Sequence, residues 1–442
     1  MSSQGTGFPL ILRSLKHRNF RLFVSGQLVS LIGTWMQMIA ESWLVYRLTG
    51  SAVLLGWVGF SNQIPVFLLA PIGGAVADHF NRRRVIMATQ SAFMVLALLL
   101  ATLTFTGVVQ VWHIMVIASL LGMVNAFDIP ARQSFVLDMV GREDLPNAIA
   151  LNSSMFNGAR IVGPAVAGML VAAVGEAWCF FLNGVSYIAV LSGLYLIKVT
   201  HRRRTASGSA ISRIAEGFVF VHRARPIRYL LGLLGIISLV GMPYTVLMPV
   251  FAERVLHGGA SLLGVLMAST GVGALAGALV LAGKQGFRGL GRLIAVSAVG
   301  FGASLVLFAS SRHVALSIAV LFPVGFFMML EMASSNTLIQ AMSPDEIRGR
   351  VMAVYSMMFM GMAPFGALLA GWFASIIGAT WVVAAGGAIS IAAGALFAWR
   401  LPSIRGEARE LIVALQAVPG DPPEAATGTF VIPAAEQAGE SG

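Results

Sequence analysis

Four ionisable side chains, Glu41, Asp128, Arg160 and Glu331, lie inside long apolar runs of the sequence. A charge in hydrocarbon is costly, so each is a candidate for carrying a proton, closing an ion pair or holding a charged ligand. Asp128 has Arg132 four residues on, on the same helical face, so a local ion pair and a functional role both fit it. Glu331 has Ser335 in that place and no local cation. Taking up a proton would relieve its charge, which makes it the preferred proton carrier. Arg160, with Asn157 one turn earlier, requires a carboxylate partner or an anionic group on a ligand. Asp128 lies about 8–10 Å nearer the basic end, within reach of a long side chain, so an Arg160–Asp128 clamp and ligand binding both stay open. Glu41 comes roughly 20 residues, about 30 Å, into its run, which suggests an interfacial role near the opposite rim.

Other chemistries are excluded. The seven histidines show no ligand spacing, no metal site is expected, and no nucleophile stands beside a base. The run from Gly277 to Gln285 is not a phosphate loop, because its first glycine is misplaced and Gln285 stands where Ser or Thr must reach magnesium. Gly271, Gly273 and Gly277 imitate a dinucleotide fingerprint but sit in an apolar run with no flanking strand, so they mark helix packing. Cys179 is the single cysteine, so no intramolecular disulfide can form. An enzyme is not expected.

The elements that must position these side chains are membrane helices. Of the 442 residues 57% are hydrophobic and only 11% charged, with a mean hydropathy of +0.84. Soluble domains carry about 25% charged residues, so soluble, nucleic-acid-binding and disordered classes are excluded despite the net charge of +11. A spanning helix needs about 20 apolar residues. Twelve segments qualify, near 21–46, 53–77, 85–107, 111–132, 145–174, 178–197, 227–251, 261–283, 291–310, 314–341, 348–377 and 380–399. The expected fold class is an all-α polytopic membrane protein.

Lys and Arg concentrate in alternate loops, which the positive-inside rule assigns to the cytoplasm together with both termini. Only Arg47, Arg254 and Arg312 fall on the other side. The basic N-terminus lacks a cleavage site and is not expected to be a removable signal peptide. The chain divides into an N-terminal segment (1–20), a six-helix half (21–197), a linker (198–226), a second six-helix half (227–400) and a tail (401–442) expected to be disordered. Within the linker, Ile211, Ile214, Phe218 and Val221 could share one face of a short interfacial helix.

The two halves are related in sequence. A fixed offset of 203 residues pairs Asp128 with Glu331, Gly158 with Gly361, Gly163 with Gly366, Gly168 with Gly371, Gly175 with Gly378 and Trp178 with Trp381. Such internal repetition is the mark of a transporter built from two similar six-helix units.

The loop after the second span carries Gly74, Asp78, Arg82 and Arg83. A carboxylate beside guanidinium groups can pair in one conformation and release in another, while a glycine permits close helix approach. At these residues the sequence resembles the major facilitator superfamily, whose signature here is Gly-x-x-x-Asp-Arg/Lys-x-Gly-Arg/Lys-Arg/Lys; His79 and Asn81 depart from it. The corresponding second-half loop has no acidic residue. Asp345, Glu346, Arg348 and Arg350 at the start of the eleventh span are instead the expected partners of Asp78 in a cytoplasmic latch, formed when the cavity faces outward.

Gly163, Pro164 and Gly168 are similar to the family's exporter signature, although Ala159 and Ala167 replace glycines, and ordinary close packing explains them equally well. The runs from Phe20 to Phe23, Trp43 to Ser51, Asp128 to Ser134 and Val140 to Leu145 resemble the bacterial branch that contains the enterobactin exporter and macrolide efflux proteins. That resemblance implies an exporter of the bacterial inner membrane, driven by the proton motive force without a cofactor and acting as a monomer. Its first, fourth, seventh and tenth spans would line the cavity. Gln27, Gln37, Asn125, Asp128, Tyr244, Glu331 and Asn336 are then the candidate polar lining, and Trp35, Phe127 and Phe327 the candidate aromatic lining. An amphiphilic small molecule is the expected substrate, a siderophore the alternative, and a receptor or scaffold the reading from another class.

Overall fold

The structure is a computed structural model describing residues 10–197, 210–284 and 286–416. Within a bilayer every backbone polar group must be satisfied inside the chain, and helices do this segment by segment. Among the described residues twelve helices are long and apolar enough to cross a membrane. The first six are α1 (Arg18–Thr49), α2 (Ala52–His79), α3 (Arg82–Phe105), α4 (Val111–Gly141), α5 (Glu143–Val174) and α6 (Glu176–Leu196). A shorter helix, α7 (Ala210–Arg223), follows. The second six are α8 (Arg225–Val255), α9 (Gly259–Ala282), α10 (Leu290–Ser310), α11 (Val314–Ala341), α12 (Asp345–Ile377) and α13 (Ala379–Gln416).

Local chemistry sets the boundaries. Gly50 ends α1 in the left-handed region (φ 59°), and the Ser51 side chain then caps α2 by accepting from the Leu54 amide at 3.3 Å. Asn81 caps α3 in the same way through the Arg84 amide.

Two expectations are corrected. Residues 133–144, expected as a loop, are almost wholly helical: α4 and α5 run on to meet at Gly141, whose φ of 73° breaks the ladder at one residue. The tail read as disordered from 401 begins as helix, because α13 continues to Gln416 through Pro402. Residues 198–209 of the linker and 417–442 of the tail lie outside the described residues. The linker helix α7 packs on α12, where a Cβ added to Gly217 would meet the Arg350 carbonyl oxygen at 2.7 Å, and Glu216 ion-pairs with Arg350. Of the face expected at the interface, Val221 is buried and Phe218 exposed; the Ile211 and Ile214 side chains lie outside the described residues.

The repeat is carried into three dimensions. Gly175 and its counterpart Gly378 break the chain between successive helices at nearly equal φ, 89° and 90°. The halves meet at two matching places. A Cβ on Gly168 (α5) would meet Gly264 Cα (α9) at 3.0 Å, and one on its counterpart Gly371 (α12) would meet Gly56 Cα (α2) at 3.1 Å. Both contacts, with the Phe60–Phe365 ring pair (6.1 Å) and the Arg254 to Gly50 carbonyl bond (2.9 Å), lie toward the end opposite the basic loops. At the basic end no comparable seam joins α4 to α11 among the described residues.

In α8, Pro243 and Pro249 lack the amide that a regular ladder needs. Two wide turns, Ile237–Gly241 and Phe251–Val255, flank them, the first closed by the Met242 amide on the Ile237 carbonyl at 2.9 Å. Tyr244 sits between these irregular turns, a placement common near functional sites.

Candidate functional site

Arg160 extends from α5 to a point shared by helices of both halves. Its Cζ lies 5.7 Å from the centroid of the Trp35 ring (α1), and its Nη2 is 4.0 Å from Met328 Sδ (α11). Tyr244 (α8) is within its electrostatic reach, and the backbone of Arg160 faces Gly271 of α9. No carboxylate pairs with Arg160 among the described residues. The guanidinium is stacked on an aromatic face and touches a polarisable sulfur, two contacts that tolerate a cation without neutralising it.

Glu331 lies three residues along α11 from Met328, one helical turn. It is 1% exposed. Its Oε1 accepts from Ser335 Oγ at 3.1 Å, while Oε2 has no partner among the described residues. Tyr355 of α12 stands within electrostatic reach of Glu331 and donates its hydroxyl to the Met332 carbonyl at 3.3 Å. Half-buried Asn336 is Tyr355's other polar neighbour.

Asp128 occupies the matching position in the first half, with a different environment. Its Oδ1 accepts from Thr89 Oγ1 at 2.7 Å and from Gln90 Nε2 at 3.0 Å, both on α3. Its Oδ2 lies 2.8 Å from Arg132 Nη2, an ion pair out of line for a hydrogen bond. Of the two open alternatives the local pair is the one formed, and the Arg160–Asp128 clamp is not. Thr89 and Gln90 were missed from sequence, since nothing in their own helix marks the face they turn to α4.

Of the remaining cavity candidates, Trp35 reaches the centre and Tyr244 is buried there, with Thr270 as the polar neighbour of its hydroxyl. Gln27 is buried with its Oε1 unpartnered, and Gln37 is taken by Asn183, whose Nδ2 donates to it at 2.7 Å. Asn125 is half-buried on α4. Two aromatic residues turn elsewhere: Phe127 lines a cavity of about 620 Å³ with Thr89, Phe80 and Arg84, and Phe327 packs its ring on Gly300 of α10. Glu41, expected in an interfacial role, is buried.

The loop motif divides its labour. Arg82 Nη1 donates to both carboxylate oxygens of Asp138 at 2.8 Å, and Arg83 donates to the Leu194 and Tyr195 carbonyls at 2.7 Å. These bonds tie α3 to α4 and to the end of α6, where free carbonyls favour a cation. Asp78 makes no ion pair or hydrogen bond among the described residues. Its expected partners are not turned to it here: Arg350 is held by Glu216, Arg348 donates to the Gln340 and Ser343 carbonyls, and the side chains of Asp345 and Glu346 lie outside the described residues. The close approach expected of Gly74 belongs to Gly73, which abuts the Ala126 carbonyl of α4, while Gly74 has open space. Gly163, Pro164 and Gly168 form packing surfaces: Gly163 meets α1 at the Ile32 carbonyl, and Pro164 and Gly168 meet Gly264 across the halves.

At the basic end, the 3₁₀ turn Leu10–Lys16 is anchored by Asp144, which pairs with Arg13 (2.9 Å), Lys16 (2.8 Å) and His17 (2.7 Å).

Comparison with known proteins agrees with this architecture. The chain is 29% identical over 362 residues to the staphyloferrin A transporter of Staphylococcus aureus, covering 81% of this chain and 90% of that protein. It is 26% identical to the multidrug efflux pump Tap of Mycolicibacterium fortuitum (78% and 87% covered) and 23% identical to macrolide efflux protein A of Streptococcus pyogenes (82% and 92%). Among solved structures, the peptide transporter PepTSo matches with a TM-score of 0.69 at 11% identity, over 88% of this chain and 99% of that one, and a D-xylose–proton symporter with 0.65 at 14% identity, over 87% and 96%. These distant structures share the fold. A family model for transmembrane secretion effectors matches residues 11–423, and the chain therefore belongs to that family of the major facilitator superfamily, whose members are membrane transporters and not enzymes.

Proposed function

We propose that this protein is a proton-coupled secondary active exporter that moves an amphiphilic small molecule out of the cytoplasm by alternating access. The observation that carries this reading is that, among the described residues, Arg160 has no carboxylate and touches Met328, one turn of α11 from a Glu331 with no cation. A buried charge left without a partner is expensive, so each invites a mobile one. In this mechanism Glu331, when ionised, draws Arg160 toward it. The substrate binds this ionised form, offering a donor group to Glu331 while an acidic or electron-rich group meets Arg160 between Trp35, Met328 and Tyr244, and protonation of Glu331 releases it.

Alternating access is supported by the uneven seam. Packing between halves lies toward the end opposite the basic loops, as expected for a cavity open to the cytoplasm. Opening the other way would separate Gly168 from Gly264 and Gly371 from Gly56 while Asp78 approaches the start of α12. In this reading the protein works as a single chain in a bacterial inner membrane, with the proton motive force as its energy source and no cofactor, and the basic loops support cytoplasmic termini.

A dedicated siderophore exporter is the second reading, favoured by the unpaired Arg160 and by the name of the Staphylococcus aureus relative. Inverted membrane vesicles energised with a proton gradient test both readings. Substrate-induced proton release from one class among siderophores, macrolides and cationic dyes, abolished by Glu331→Gln, is expected. Release that persists in Glu331→Gln removes Glu331 as carrier, and compounds that bind without moving protons remove the exporter.

A further inference from the structure

The three basic side chains that fall opposite the basic loops, Arg47, Arg254 and Arg312, are not equivalent. Arg47 is neutralised by Glu176, with Nε to Oε1 at 2.6 Å and Nη2 to Oε2 at 3.2 Å. Arg254 and Arg312 have no carboxylate among the described residues. Arg254 donates to the Gly50 carbonyl at 2.9 Å and lies 5.7 Å from the Tyr46 ring centroid, so it reaches from the second half to the first. Arg312 makes only 3.5 Å contacts with the Ala309 and Ser311 carbonyls. Both arginines line a single cavity of about 730 Å³ between the halves, together with Tyr46, Ser51, His257 and Thr380. Glu253, beside Arg254 in sequence, pairs with neither arginine and is not part of the wall.

We propose that this outer cavity is an anion site, in which Arg254 and Arg312 hold the carboxylate or phosphate of an amphiphile between the two halves. Guanidinium groups bind such oxyanions through paired hydrogen bonds, and apart from the Arg254 bond to the Gly50 carbonyl and the long Arg312 contacts the donors of these two side chains stay available to a ligand. The first turns of α2, at Ala52, and of α13, at Ala379 and Thr380, border the same space, so the positive ends of both helices add to its potential, although the Ser51 amide is already given to Thr49 Oγ1 at 3.2 Å. The volume suits a small organic ligand better than a bare ion. The inference stands apart from the export reading, since it uses no residue of the central site.

The ligand chemistry can come from a soluble polycarboxylate or from a lipid headgroup, and the test separates them. The purified full-length chain is placed in phosphatidylcholine nanodiscs, and its thermal unfolding is followed with citrate or inorganic phosphate against chloride of equal ionic strength. A parallel series uses discs containing phosphatidylglycerol. Citrate or phosphate is expected to raise the midpoint by about 2 °C or more, as ligand binding to the folded state requires. The rise should vanish in Arg254→Gln/Arg312→Gln, survive in part in the folded, charge-retaining Arg254→Lys/Arg312→Lys, and stay whole in Arg160→Gln. A rise confined to phosphatidylglycerol discs, with the same dependence on Arg254 and Arg312, makes a lipid headgroup the ligand. No rise with any of the three anions, an equal rise in the double Gln variant, or loss in Arg160→Gln overturns the proposal.

Discussion

Arg160 of the first half reaches into the second, where its guanidinium touches the sulfur of Met328 at 4.0 Å, one turn of α11 from Glu331. Among the described residues neither Arg160 nor Glu331 has an opposite charge bound to it, while the sequence counterpart of Glu331, Asp128, is held by Arg132, Thr89 and Gln90. The repeat thus preserves a carboxylate at both positions and differs in whether the protein neutralises it.

Replacing Arg160 by Gln is expected to weaken export of acidic substrates at least tenfold, about 1.4 kcal/mol, and to affect neutral ones less. Arg160→Lys retains the charge but loses the flat contact with Trp35, and should fall between wild type and Gln. Initial export rates for an acidic and a neutral compound in the same vesicles check this. Equal losses for both would remove Arg160 from charge recognition.

Asp128→Asn is expected to destabilise the protein by about 1–3 kcal/mol: Arg132 loses its counter-charge, but its side chain is 25% exposed and its charge stays partly solvated. Thermal unfolding in detergent, with Arg132→Gln and the double variant as a cycle, measures the coupling. The folded fraction of Asp128→Asn should still release protons on substrate addition. Loss of proton release at unchanged stability would give Asp128 the carrier role instead.

Asp78 has no partner among the described residues, so Asp78→Asn should change stability by less than about 0.5 kcal/mol. Transport should nevertheless fall, because the outward-facing state would lose its latch to the start of α12. Transport equal to wild type in a normally folded Asp78→Asn would refute the latch.

Gly168→Val and Gly371→Val, at repeat-related positions, should each cost about 1–3 kcal/mol, since the added carbons must displace the backbones of α9 and α2. Gly74→Val, where a Cβ meets nothing within 4 Å, should cost markedly less. Thermal midpoints of the three variants, side by side, decide it; a uniform cost would mean helix propensity rather than contact between halves.

Much of this protein was written in its sequence. Twelve apolar runs fix twelve helices, because a bilayer leaves the backbone no other solution, and the 203-residue offset fixes two matching halves. The Asp128–Arg132 pair was likewise visible, since both partners share one helix face four residues apart. Contacts between helices were not. Helical spacing tells which residues share a face, and not which helix that face will meet. So only the packed structure turned Phe127 and Phe327 away from the centre, gave Arg82 to Asp138 across 56 residues, and buried Glu41. It also brought Trp35, Met328 and Tyr244 around an Arg160 with no counter-ion, and set Arg254 and Arg312 on one cavity wall. Whether a buried charge is neutralised depends on groups far away in the chain, and tertiary packing alone decides which of them arrive.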